Sequence, residues 1–106
     1  MIKAVFVVYK RPDLSTEEFR RYWKDVHAPI AARIPGMRKY TINPSQGDLD
    51  GNPPPYDGVA ELYFDSAEAS RTAFATPEGK AAFDDAENFL NMDRVRASLC
   101  EEITIL

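Results

Sequence analysis

The sequence predicts an α+β fold: a four-stranded antiparallel sheet with helices on one face, in the ferredoxin-like split βαβ order (βαββαβ). Three observations carry that expectation. Four strand-like apolar runs occur, separated by two amphipathic helical patterns in the sequence strand, helix, strand, strand, helix, strand. Both faces of the first run are apolar, so one layer of helices covers only half of what it needs to bury. The 106 residues give room for one domain, 1–106, with a modest core.

The first strand is expected over Ile2 to Lys10, with Ala4, Phe6 and Val8 facing one way and Val5, Val7 and Tyr9 the other. Arg11-Pro12-Asp13-Leu14 breaks it, and Ser15 with Glu18 forms a capping box in which each side chain satisfies a backbone amide of the other. The helix that follows, to about Ile34, carries Phe19, Trp23, Val26, Ile30 and Ile34 as its apolar stripe. Pro29 cannot sit quietly inside it, since proline lacks the amide and clashes one turn back, so a kink or restart is expected near His27-Ala28-Pro29. Pro35-Gly36 ends the segment.

A short second strand covers Met37 to Asn43. The stretch from Asn43 to Pro55, rich in Asn, Gly, Asp and Pro, reads as a long exposed loop, either a functional rim or a tolerated insertion. Tyr56 to Phe64 is the third strand, with Ala60, Leu62 and Phe64 on one face and Val59, Glu61 and Tyr63 on the other. Asp65 or Ser66 caps the next helix, Asp65 with Glu68 being the better capping-box pair, and Thr76-Pro77 restarts it. Ala82, Phe83, Ala86, Phe89 and Leu90 supply its apolar side, and the last strand runs from about Val95 to Ile105.

Apolar residues on the sheet face away from the helices, Val5, Val7, Tyr9, Val59 and Tyr63 among them, imply a covered surface. A homodimer through that open face is the expected cover.

Composition removes several function classes. Thirteen basic against seventeen acidic residues give a net charge of −4, and no basic stripe exists to track a nucleic acid. No apolar run is long enough to span a membrane and no secretory leader is visible, so a cytoplasmic location is the expectation. One cysteine, Cys100, and one histidine, His27, leave no disulfide and no ordinary zinc site within one chain. The dinucleotide, P-loop, zincin and nucleophile-elbow patterns are all missing. Asp48-Leu49-Asp50-Gly51-Asn52 lacks the rest of a calcium loop and reads as a turn.

What remains is His27, beside the Ala28-Pro29 irregularity and four residues after Trp23; histidine is the side chain suited to moving protons near neutral pH. Asp25, two positions away, points elsewhere on a helix and is a poor partner for it. Tyr22 and Tyr40 are candidate hydroxyl donors. Glu61 interrupts an apolar strand face, so it is a pocket acid, a partner for Arg38, Arg96 or a second subunit, or simply exposed at a sheet edge. Cys100 reads as an inert small residue.

Lys10-Arg11-Pro12-Asp13-Leu14-Ser15, Glu18-Phe19-Arg20-Arg21-Tyr22-Trp23, His27-Ala28-Pro29, Ile34-Pro35-Gly36 and Tyr40 together resemble the EthD family of the dimeric α+β barrel superfamily. The resemblance implies a sheet-to-sheet dimer forming a dimeric α+β barrel, and a cavity between sheet and helices in each subunit. It also implies chemistry without a metal or organic cofactor, as an oxidoreductase, lyase or isomerase. The family's motif histidine falls on His27 and its post-Pro-Gly tyrosine on Tyr40; Cys100 does not match the pocket cysteine of isomerase relatives.

The expected function is therefore histidine-assisted proton transfer on a small aromatic, lactone or polyketide-like molecule, by dehydration, isomerisation or oxygenation. In this reading His27 and Tyr40 are catalytic, and Phe6, Tyr22, Trp23, Glu61 and Phe64 line the pocket of a small hydrophobic or aromatic ligand. The alternatives are a non-catalytic binding or accessory protein and a purely structural dimer, with haem ligation by the lone histidine a weaker third.

Overall fold

The computed structural model describes residues 1–106. Four strands, β1 (Ile2–Val8), β2 (Lys39–Pro44), β3 (Gly58–Phe64) and β4 (Arg96–Glu101), form one antiparallel sheet in the order β2-β3-β1-β4. Four helices, α1 (Thr16–Tyr22), α2 (Ala28–Ala31), α3 (Ala67–Phe74) and α4 (Pro77–Ala86), complete the split βαβ arrangement. None of them is long and apolar enough to cross a membrane.

The register sorts side chains as a period of two requires. Ala4 opposite Leu62 and Phe6 opposite Ala60 place Ala4, Phe6, Val8, Ala60, Leu62 and Phe64 on the helix side, joined from β2 by Tyr40 and Ile42. Phe19, Trp23, Phe64 and Phe89 are fully buried there. Each buried phenylalanine contributes about 2–3 kcal/mol through apolar area removed from water. The aromatics are in mutual contact, Phe89 meeting Phe19 at 5.8 Å and Tyr22 at 5.2 Å between ring centroids.

The sheet corrects the expected barrel. Its four strands of six or seven residues are open, with β2 and β4 as unjoined edges, and do not close into a barrel. Closure needs about eight strands to enclose a filled interior. The face away from the helices is also more polar than expected: beside Val5, Val7 and Val59 it carries Lys3 Nζ, 2.6 Å from the Glu61 carboxylate, with Thr41 hydrogen-bonded to the same glutamate.

The first helical region is continuous from Thr16 to Ala31 but changes pitch. Ser15 and Glu18 make the reciprocal capping box at its start. Residues Trp23–His27 then form a π-helical turn, in which the Ala28 amide reaches back to the Trp23 carbonyl, and α2 follows with Pro29 in its first turn. The wide turn resets the stripe: spacings of four, Phe19, Trp23, His27 and Ala31, stay inward, whereas Val26, expected inside, is 42% exposed. A regular helix would drift about 40° per such step at 3.6 residues per turn.

Gly58, paired with Val8, is where Trp23 lies against the sheet; a Cβ there would stand 2.5 Å from the indole ring. At α3 the cap is Ser66, whose hydroxyl accepts from the Ala69 amide, while Asp65 is instead paired with Arg38. Thr76 caps α4. Strand β3 begins only at Gly58; just before it the Asp57 carboxylate accepts from the Lys10 amide at 2.8 Å and the Asp57 amide donates to the Val8 carbonyl at 3.0 Å. Asp48 accepts the amides of Asp50 and Asn52, so this segment is a turn.

Candidate active site

Between the helices and the sheet lies a cavity of about 90 Å³. Phe6, Ala60, Leu62 and Tyr40 form its sheet side, Trp23, His27 and Ala31 come from the first helical region, and Ala82, Phe83 and Ala86 come from α4. Phe83 and Met92, 44% and 45% exposed, mark its mouth. Of seventeen lining residues sixteen are hydrophobic, so the wall is a dry solvent in which a few polar atoms act strongly.

The π turn delivers His27 to this wall. Its ring packs on Phe89 at 4.7 Å between centroids, and Nδ1 lies 2.8 Å from Asp85 Oδ2. Both side chains are about nine-tenths buried, at 12% and 11% exposure. Asp85 is held from three sides: Tyr22 donates its hydroxyl to Oδ1 at 2.6 Å and Asn88 donates to the same oxygen at 3.1 Å. Burial pushes the Asp85 carboxyl up, but the bonds from Tyr22, His27 and Asn88 outweigh it and hold the carboxyl below the ordinary aspartate value. An ionised Asp85 only accepts, so Nδ1 carries a proton, and in the neutral ring Nε2, which has no protein partner, carries the lone pair. Burial, and after it the bond to Asp85, raises the Tyr22 hydroxyl.

Tyr40 stands on β2 at the same cavity. Burial pushes its hydroxyl up to about 12, with the Trp23 indole only partly offsetting it. The group is therefore a neutral donor throughout the physiological range. No group of three or more His, Cys, Asp or Glu side chains converges anywhere in the chain.

Four of the seven residues assigned to the site from sequence, His27, Tyr40, Phe6 and Trp23, border the cavity. Tyr22 is one step back, on Asp85. Phe64 is fully buried in the core outside the lining. Glu61 points to the opposite sheet face, where Lys3 holds its carboxyl below the ordinary range, and it is no pocket acid. No residue of the loop between β2 and β3 reaches the cavity. Asp85 was missed in sequence; the available signal was its place among Ala82, Ala86 and Phe89, the apolar side of the α4 region.

Residues 11–93 match the EthD domain. The chain belongs to the EthD family. An uncharacterised 11.0 kDa protein in the thcB–thcC intergenic region of Rhodococcus erythropolis is 35% identical, over 80% of this chain and 81% of the relative. A 4-carboxymethyl-4-methylbutenolide mutase of Pseudomonas reinekei is 27% identical, over 85% of this chain and 89% of that one. The crystal structure of an EthD family protein from Bacillus halodurans superposes with a TM-score of 0.82 at 27% identity, covering 97% of this chain and 100% of the other. A dimeric protein of ferredoxin-like fold and unknown function from Bacteroides fragilis shares the fold at a TM-score of 0.69 and 14% identity, over 95% of each chain.

Proposed function

We propose that this EthD chain is an enzyme that moves a proton on a small, largely apolar molecule, with His27 as the base and Tyr40 as the donor to the oxygen on which charge develops. The observation that carries the reading is the 2.8 Å bond between Asp85 and His27 Nδ1 at the wall of an apolar cavity. It leaves Nε2 as the basic atom, and the aspartate stabilises the imidazolium that forms on proton uptake. Tyr40, neutral and without a hydrogen bond of ordinary geometry, is free to donate to an enolate or phenolate oxygen. The mutase activity named for the Pseudomonas reinekei relative supports isomerisation of a small ring among the possible reactions.

The chain acts as a homodimer joined through the open sheet face. That face keeps Val5, Val7 and Val59 without cover from its own helices, and the Bacteroides fragilis protein of the same fold is dimeric.

The test is deuterium exchange. Wild-type protein in heavy water, with a panel of monocyclic enolisable lactones and phenols, is expected to catalyse incorporation at the acidic carbon of at least one compound. His27→Ala is expected to lose about 10²–10⁴-fold of that rate. An unchanged rate in His27→Ala overturns the role. A bound compound recovered without exchange favours the accessory-protein reading.

A further inference from the structure

The lining of the cavity contains no Lys, Arg, Asn, Gln, Ser or Thr. Its polar atoms are confined to the His27 ring, the Tyr40 hydroxyl and the Trp23 indole. None of the cations that flank lining residues in sequence lines the cavity: Lys24, Arg33, Lys39 and Lys80 are exposed, and four others are committed elsewhere. Lys10 Nζ donates to the Leu14 carbonyl at 2.6 Å, and Arg11 clasps Asp13. Arg94 lies 3.9 Å over the Tyr9 ring, and Arg96 donates to the carbonyls of Asp93 and Val95. The one formal charge at the site is negative: Asp85, directly behind His27.

A ligand carboxylate entering this space would lose its hydration without meeting a counter-ion, and would face Asp85 across a single imidazole ring. A neutral ligand meets no such penalty. When its proton passes to His27, an O–H or C–H bond breaks, an N–H bond forms at Nε2 and the electron pair stays on the ligand. The new anion and the new imidazolium then neutralise each other, with Asp85 on the far side of the cation. The net charge of the site is the same before and after, so the wall needs no fixed cation.

We propose that the cavity takes a neutral, weakly acidic molecule about the size of one ring, such as a phenol or an enolisable lactone, and rejects a carboxylate of the same size. This inference rests on the pocket reading above. It separates the chain from the carboxymethyl-bearing compound in the name of its Pseudomonas reinekei relative. The volume of about 90 Å³ limits the occupant to about one ring.

Trp23 is the sole tryptophan of the chain and borders the cavity, so its fluorescence reports occupancy directly. The full chain is titrated at neutral pH with 4-methylphenol and with 4-hydroxybenzoate, which share a ring and a hydroxyl and differ in charge. The expected result is saturable quenching with the dissociation constant for 4-methylphenol lower by at least roughly tenfold. Equal or tighter binding of 4-hydroxybenzoate overturns the charge inference and leaves the pocket reading intact. Quenching by neither compound overturns both. Phe83→Arg, at the exposed mouth, supplies the missing cation and is expected to shrink the preference by about tenfold; an unchanged ratio shows that charge is not what discriminates and overturns the inference.

Discussion

Asp85 Oδ2 lies 2.8 Å from His27 Nδ1, joining residues 58 positions apart in sequence. The other carboxylate oxygen already receives two donors, Tyr22 and Asn88. In Asp85→Asn the amide oxygen must therefore turn towards those donors, which aims the amide N–H₂ at Nδ1. The histidine is forced into the opposite tautomer, with its proton on Nε2 where the base is needed. Proton-exchange activity is expected to fall by about 10³–10⁴-fold, the scale seen when an orienting aspartate is made an amide. Because His27 is the only histidine, its ring ¹⁵N shifts read the tautomer without assignment. A variant that keeps Nδ1 protonated overturns the positioning role.

The same carboxylate sets an acid limit on stability. Burial raises the Asp85 carboxyl, but its three hydrogen-bonded partners prevail, so its folded value is lower than the 3.8 of an unperturbed aspartate. The unfolded chain thus binds the proton more readily than the folded one. The stabilisation is complete above the ordinary aspartate value and is lost as pH falls from there through the folded value. Denaturant unfolding across that acid range is expected to show a steeper loss of stability in wild type than in Asp85→Asn. Parallel curves would assign the acid sensitivity to other carboxylates.

Much of this site was visible in the sequence, and the part that was not has identifiable causes. The capping box, the Pro29 irregularity and the pairing of His27 with a local motif are short-range features, and a linear reading reaches them. Asp85 belongs to a helix on the other side of the second βα unit, and nothing local to His27 points to it. The helical stripe went astray at Val26 because a period of 3.6 residues presumes a uniform helix, while the turn at Trp23–His27 inserts one extra residue of pitch. Glu61 was recognisable as a carboxylate needing a partner, but Lys3 lies on a neighbouring strand and becomes adjacent only through the β1–β3 register.

Gly58 tests how firmly Trp23 is seated. A methyl group at this position meets the indole ring at 2.5 Å and the Asn43 carbonyl at 2.9 Å, and the backbone contact cannot yield cheaply. Gly58→Ala is expected to destabilise the fold by about 1–3 kcal/mol through overpacking. The emission of Trp23 should shift to the red as the ring is lifted towards solvent. An unchanged spectrum with unchanged stability would mean that the ring and sheet part without cost.

Tyr40→Phe separates donation from packing. The phenyl ring fills the same wall, so affinity for a neutral ligand such as 4-methylphenol should change little. Turnover should fall by about 10²-fold, the usual cost of removing one donor from a developing oxyanion. With the hydroxyl pushed up to about 12, its ionisation does not enter the neutral pH profile, and the variant should keep the profile of wild type. A large loss of affinity with turnover preserved would make Tyr40 a wall residue only.

Val7 tests the open face. It pairs with Val59 across β1 and β3, on the side that no helix covers, and has Arg96 as its other neighbour on β4. In a monomer, an aspartate at this position would sit in water beside a cation and cost little. In a dimer joined through this face, Val7→Asp would bury an unmatched carboxylate at the junction, and symmetry would repeat it on the second copy. Sedimentation of wild type is expected to give twice the chain mass and of Val7→Asp the single mass, with circular dichroism unchanged. If the variant sediments as wild type does, the subunits meet elsewhere or the chain stands alone, because a contact built on β1 and β3 cannot absorb that charge.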